Sequence, residues 1–248
     1  MNKMKTIAAA MLAFAVSSAS AEVISIDFNN TTDPNWTISG TEVAGPLGSA
    51  HWNTTTTAAG AGQALVDDTG AATTATITWN AANTWTNGDG GSNGLDGFLS
   101  HAYLDDSAGV SITVENIPYT TYKVYGLFAS GSDKTPLLML DFQVNGSWVI
   151  GGASAVNDTT VYGTVAGNIA NNGESWTEMD PGSTIGNYWT LSGLTGSTLT
   201  INGQAADGSS NLRGSLTGVI IQAIPEPSSY ALMGGLLALA SVMIRRRK

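Results

Sequence analysis

Paired carboxylates, two histidines and seven tryptophans are the residues of this chain best suited to chemistry. Asp67-Asp68 and Asp105-Asp106 supply the carboxyl groups in adjacent pairs. Glycoside hydrolysis needs two such groups roughly 5–9 Å apart across a sugar cleft. Neighbours on a strand point to opposite faces, so neither pair is such a dyad by itself, and both lie beside turn residues where Asp bonds the local backbone. His51 and His101 fall in different turn regions. They would have to converge with a carboxylate to hold a metal; otherwise they are surface or structural residues. Residues 83–97 are rich in Gly and Asn, and Asp89, Asn93 and Asp96 there offer hard oxygen ligands. The segment reads either as a flexible loop or as a calcium site, without the spacing or the terminal Glu of an EF-hand. Trp85, Trp176 and Trp189 are expected in or near loops, where an indole face could stack on a pyranose ring. The competing reading makes them large core filler. No catalytic residue and no required cofactor is expected.

Composition narrows the partners. Net charge is −10, and between residues 22 and 224 the only basic side chains are Lys123, Lys134 and Arg213. A nucleic-acid partner is excluded on this reading, because such affinity rests on Lys and Arg meeting phosphates. Unassisted binding to an anionic membrane surface is disfavoured for the same reason, while the acidity itself keeps the chain soluble. Cysteine is absent, so no disulfide, thiol nucleophile, Fe–S cluster or cysteine zinc site exists. A hydrophobic core must therefore hold the body together.

Both ends carry targeting patterns. Lys3 and Lys5 precede an apolar run over residues 6–16, and Ala19-Ser20-Ala21 follows as a small-residue cleavage site. Residues 1–21 read as a signal peptide for the Sec export machinery, with cleavage after Ala21 leaving Glu22 first. At the other end Pro225-Glu226-Pro227 precedes an apolar run over residues 228–244, and then Arg245, Arg246, Arg247 and Lys248. As a helix that run spans about 25 Å, a short but workable transmembrane segment. The basic cluster stays on the cytoplasmic side and stops transfer. The prolines present an extended segment just outside the bilayer.

The ordered trio over residues 225–248 resembles the PEP-CTERM sorting signal of Gram-negative bacteria. The resemblance implies recognition of Pro225, Glu226 and Pro227 by exosortase, a membrane-embedded, transpeptidase-like cysteine enzyme. It also implies a host that makes exopolysaccharide. The chain would be that enzyme's substrate, anchored in the inner membrane before release or transfer.

Between these ends, residues 22–224 suit one domain. Alternating apolar residues predict about ten short strands, among them 23–28 (half-buried), 64–66, 75–79, 110–114, 122–128, 138–144, 148–150, 160–165, 188–191, 198–201 and 216–221. Asn145-Gly146 is the best hairpin signal. Residues 54–57, a threonine run, read as a solvated loop or an edge strand. Trp36 is placed at a core edge, and no stretch shows a helical period. The expected fold is an all-β, antiparallel β-sandwich. Loose patterns such as Ser25-Ile26-Asp27-Phe28 and the closing Gly218-Val219-Ile220-Ile221-Gln222 are similar to galactose-binding-like jelly-roll domains in other PEP-CTERM proteins. The expected role is that of a structural or adhesive protein of the cell surface or exopolysaccharide matrix. A carbohydrate-binding module is the alternative, and a polysaccharide-degrading enzyme a remote one.

Overall fold

A computed structural model describes residues 22–30, 37–38, 40–86, 94–106, 108–128, 140–150, 176–179, 187–205 and 214–225. The strands are β1 (Val23–Phe28), β2 (Asn53–Thr55), β3 (Ala59–Val66), β4 (Ala72–Asn80), β5 (Asn83–Thr86), β6 (Ala102–Asp106) and β7 (Val110–Glu115). They continue with β8 (Thr121–Leu127), β9 (Leu140–Val144), β10 (Ser147–Ile150), β11 (Tyr188–Thr195), β12 (Leu199–Ala205), β13 (Gly214–Leu216) and β14 (Gly218–Ala223). One helix, α1 (Gly94–His101), lies between β5 and β6. The expected signal peptide 1–21, Trp36, the expected strand 160–165 and the tail beyond Pro225 lie outside the described residues.

Alternation of apolar and polar residues sorts the strands into three sheets. The first has the order β11-β8-β14-β1-β2, the second β10-β9-β12-β7-β4-β3, and the third β13-β6-β5. β1 and β2 run parallel; the other named pairs run antiparallel. Thr54 and Thr55 thus sit on an edge strand, one of the two expectations for the threonine run. Asn145 and Gly146, at φ 49° and 78°, turn β9 into β10, as a type I′ hairpin requires.

The first two sheets share one core. Ile24, Ile26, Phe28, Tyr122, Val124, Val219 and Ile221 from the first meet Ile77, Ile112, Val114, Phe142, Val144 and Ile201 from the second. Across that layer the Phe142 and Trp189 rings lie 5.4 Å apart, a tilted aromatic pair. Leu104 and Leu216 bring the inner face of the third sheet onto the same core.

Three expectations need correction. β1 is buried on both faces rather than half-buried. Its second face, with Val23, joins Tyr125, Leu127 and Ile220 under a cover made of Ile38, Ala44, Trp52 and α1. Within residues 83–97, β5 and α1 are regular structure rather than loop. Leu95, Phe98 and Leu99 of α1 do follow the i, i+3, i+4 rule, but eight residues hold too few turns for the period to stand out against two glycines. Finally, β3 begins at Ala59, earlier than predicted, because Ala and Gly carry no alternation to read. Gly60 is needed there: a Cβ would lie 2.2 Å from the Trp79 ring.

Gly126 of β8 plays the same part for Trp189. A Cβ at Gly126 would lie 2.2 Å from the indole, which is wholly buried and cannot retreat. Gly126→Ala should therefore destabilise the fold by about 3 kcal/mol, at the upper end of overpacking costs. Denaturant unfolding of the two proteins measures it, with an unchanged midpoint as the contrary result.

Candidate functional site

The acidic pairs are held by backbone. The Asp67 carboxylate accepts from the Thr69 amide at 2.9 Å, the Thr69 hydroxyl at 2.6 Å and the Ala71 amide at 3.0 Å, closing the turn between β3 and β4. Burial works against its charge, but these bonds, led by the Thr69 side chain, hold the carboxyl below the usual range. Asp68 accepts from the Val23 amide at 3.3 Å and so ties this turn to the start of β1. Asp106 accepts from the amides of Ala82 and Ala108, both at 2.7 Å, fixing the chain just before β5 and just after β6. Asp105 is buried at the β5–β6–β13 junction, in register with Asn83 and Ser215. The Asp pairs thus serve turns and strand ends, and the two lie in different sheets.

His51, at φ 52°, packs against the same β3–β4 turn: a Cβ at Gly70 would lie 2.8 Å from its Nδ1. His101 ends α1. Of the three candidate calcium ligands, Asp89 and Asn93 lie outside the described residues. Asp96, in the first turn of α1, accepts from the Gly45 amide at 2.7 Å and so pins the covering loop to the helix. Among the described residues, no three His, Asp or Glu side chains gather as a metal site.

The tryptophans separate clearly. Trp189 belongs to the core, and its expected place facing solvent from a loop is corrected: β11 carries it in register with Gly126, where the missing Cβ makes its space. Trp176 is half-buried, its ring set edge-on to Tyr188 at 6.4 Å and packed on the outer cluster. Trp85 is 53% exposed on β5. Only this one of the three presents an open indole face.

A residue that sequence reasoning passed over is Asp27. It sits on the outer face of β1, opposite Gly218 of β14 and Thr54 of β2, and is only 1% exposed. Burial pushes its carboxyl up to about 8, against opposing hydrogen bonds from Thr54 (Oγ1 to Oδ2, 3.3 Å) and Asn29. In the folded protein it is therefore a neutral acid at pH 7. The only sequence signal was one polar residue on a face presumed wet.

At the start of β1 the groups are acidic. Burial, and then the carboxylates of Glu22, Asp67 and Asp68, push the Tyr119 phenol above its ordinary range. The Glu22 carbonyl accepts from the Ala223 amide at 2.8 Å, and the Ile224 amide donates to the Thr121 carbonyl at 2.8 Å. The first and last described residues of the body therefore leave from one place. Among the described residues no helix is long and apolar enough to cross a membrane, and residues 228–244 lie outside them. No known protein family, curated protein or solved structure matches the chain.

The raised Asp27 carboxyl carries a sign. Between the unfolded value of 3.8 and the folded value of about 8 the native state keeps a proton that the unfolded chain releases. Its contribution is complete below pH 3.8, falls as pH rises to about 8, and then levels. Asp27→Asn should remove this slope from the pH dependence of the denaturation midpoint. Parallel profiles for the two proteins would show instead that Asp27 is ionised in the fold.

Proposed function

We propose that the protein is an exported structural or adhesive component of the cell surface or exopolysaccharide matrix, sorted through its C-terminal tail. One observation carries the reading: β1 and β14 are antiparallel neighbours, Val23 opposite Gln222, so the leader and the tail join the body at the same pole. A folded body can then stand on one membrane face with both targeting segments directed into it. The sequence supports the rest: the signal peptide over residues 1–21, the apolar run 228–244, and Arg245, Arg246, Arg247 and Lys248 as the stop. Pro225, Glu226 and Pro227 follow Ala223 of β14 in sequence with only Ile224 between, which supports a sorting segment that begins where the body ends. Neighbours in both main sheets come from remote parts of the chain, β1 beside β14 and β12 between β7 and β9, which supports a jelly-roll-like sandwich.

The test is the intact mass and location of the protein in host cells with and without their exosortase. The reading expects loss of residues beyond the Pro225–Glu226–Pro227 motif only where the enzyme is present, with the body at the surface or in the matrix. Replacing Pro225 and Pro227 together by Ala should leave the tail on. Lys248 retained in both strains would make the tail a plain anchor.

A further inference from the structure

A strand that exposes a Trp forfeits apolar burial unless something else covers it. Trp85 is such a residue, with more than half of its surface open on β5, the edge strand of the third sheet among the described residues. Register fixes what accompanies it. Trp85 lies opposite Tyr103, and Asn83 opposite Asp105, so these four share one face of β5 and β6. Tyr103 and Asp105 are buried, and Trp85 and Asn83 are the exposed pair, about 7 Å apart along the strand. The other face, with Leu104, is core. Asp106 grips the Ala82 amide, so the strand is anchored at its start. An indole plate with an amide one residue-pair away on a pinned strand matches one pyranose ring: its C–H face on the indole, a hydroxyl on the amide.

We infer that the outer face of β5, with Trp85 as platform and Asn83 as polar partner, binds an uncharged polysaccharide. Charge selects the occupant. The chain carries −10 net, so a polyuronate would meet like charge. Position agrees. Leu216 of β13 pairs with Leu104, and Trp85 lies one residue beyond that row, level with the start of β14. β14 then runs about 17 Å to Ala223, at ~3.3 Å per residue, before the chain leaves. Trp85 thus lies toward the end of β14 remote from the pole where both ends emerge. The inference stands on the body alone, whatever becomes of the tail.

The test uses the full chain in a sugar-free detergent, run through native gels containing a dissolved neutral glucan or galactan, or a polyuronate. Retardation is expected in a neutral gel and not in the polyuronate gel. Trp85→Ala should weaken it about tenfold or more, as loss of an anchoring aromatic does. Trp85→Phe should stay within about threefold of the parent, and Asn83→Ala should fall between. An unchanged denaturation midpoint for Trp85→Ala separates lost binding from lost fold; should that variant unfold, the Phe and Asn83 variants decide. Retardation of Trp85→Ala equal to the parent would overturn the inference. So would retardation only by polyuronate, retardation by no neutral polymer, or a Trp85-dependent dimer in place of glycan binding.

Discussion

The pairing of β1 with β14 places the beginning and the end of the body side by side in the five-stranded sheet, and much else depends on it. β14 also pairs with β8, so without it that sheet falls into two pieces, β11-β8 and β1-β2. Its Val219, Ile220 and Ile221 are wholly buried, the first and last in the main core and the middle one in the outer cluster. Closing so long a loop costs entropy that grows only slowly with length, but a sheet of such non-local contacts forms slowly. The sheet cannot close until its last strand has been delivered.

The same sheet explains where sequence reading succeeded and where it failed. Ile24, Ile26 and Phe28 were legible as a core face because alternation encodes one buried side. Nothing in the alternation says whether the opposite face is wet. Here Ala44, Trp52 and Leu99 cover it, so Ser25 and Asp27 are buried although their spacing reads as solvent-facing. A neutral Asp is the physical consequence, because an ion there would lose its hydration without gaining a counter-charge of equal worth. The cover itself was hard to foresee. Its helix is two turns long, and the Gly45–Asp96 bond that ties loop to helix joins residues 51 positions apart.

Local chemistry was easier to read than tertiary context. Asn145-Gly146 fixes its own turn through two positive φ angles, so its two strands followed from the dipeptide alone. Asp67, followed by Thr69 and Gly70, reports a turn in the same way, through bonds that span at most four residues. The tryptophans could not be sorted by such rules. Trp189 is core because Gly126, remote in sequence, leaves out a Cβ beneath it; Trp85 is exposed because its strand is an edge. Both facts belong to pairing, and pairing between distant strands leaves no signature in a window of residues.

Strand direction then gives the domain two unlike ends. Where the chain enters and leaves, Glu22, Asp67 and Asp68 gather near Tyr119, and their charge raises the cost of approaching an anionic lipid surface. Attraction to such a surface cannot hold this pole in place. Repulsion acts over roughly a Debye length, about 8 Å at physiological salt, so it is felt only at close approach. The third sheet lies toward the other end of β14, where Leu216 hands the chain to Gly218. Acidic groups and an open indole therefore lie toward opposite ends of β14.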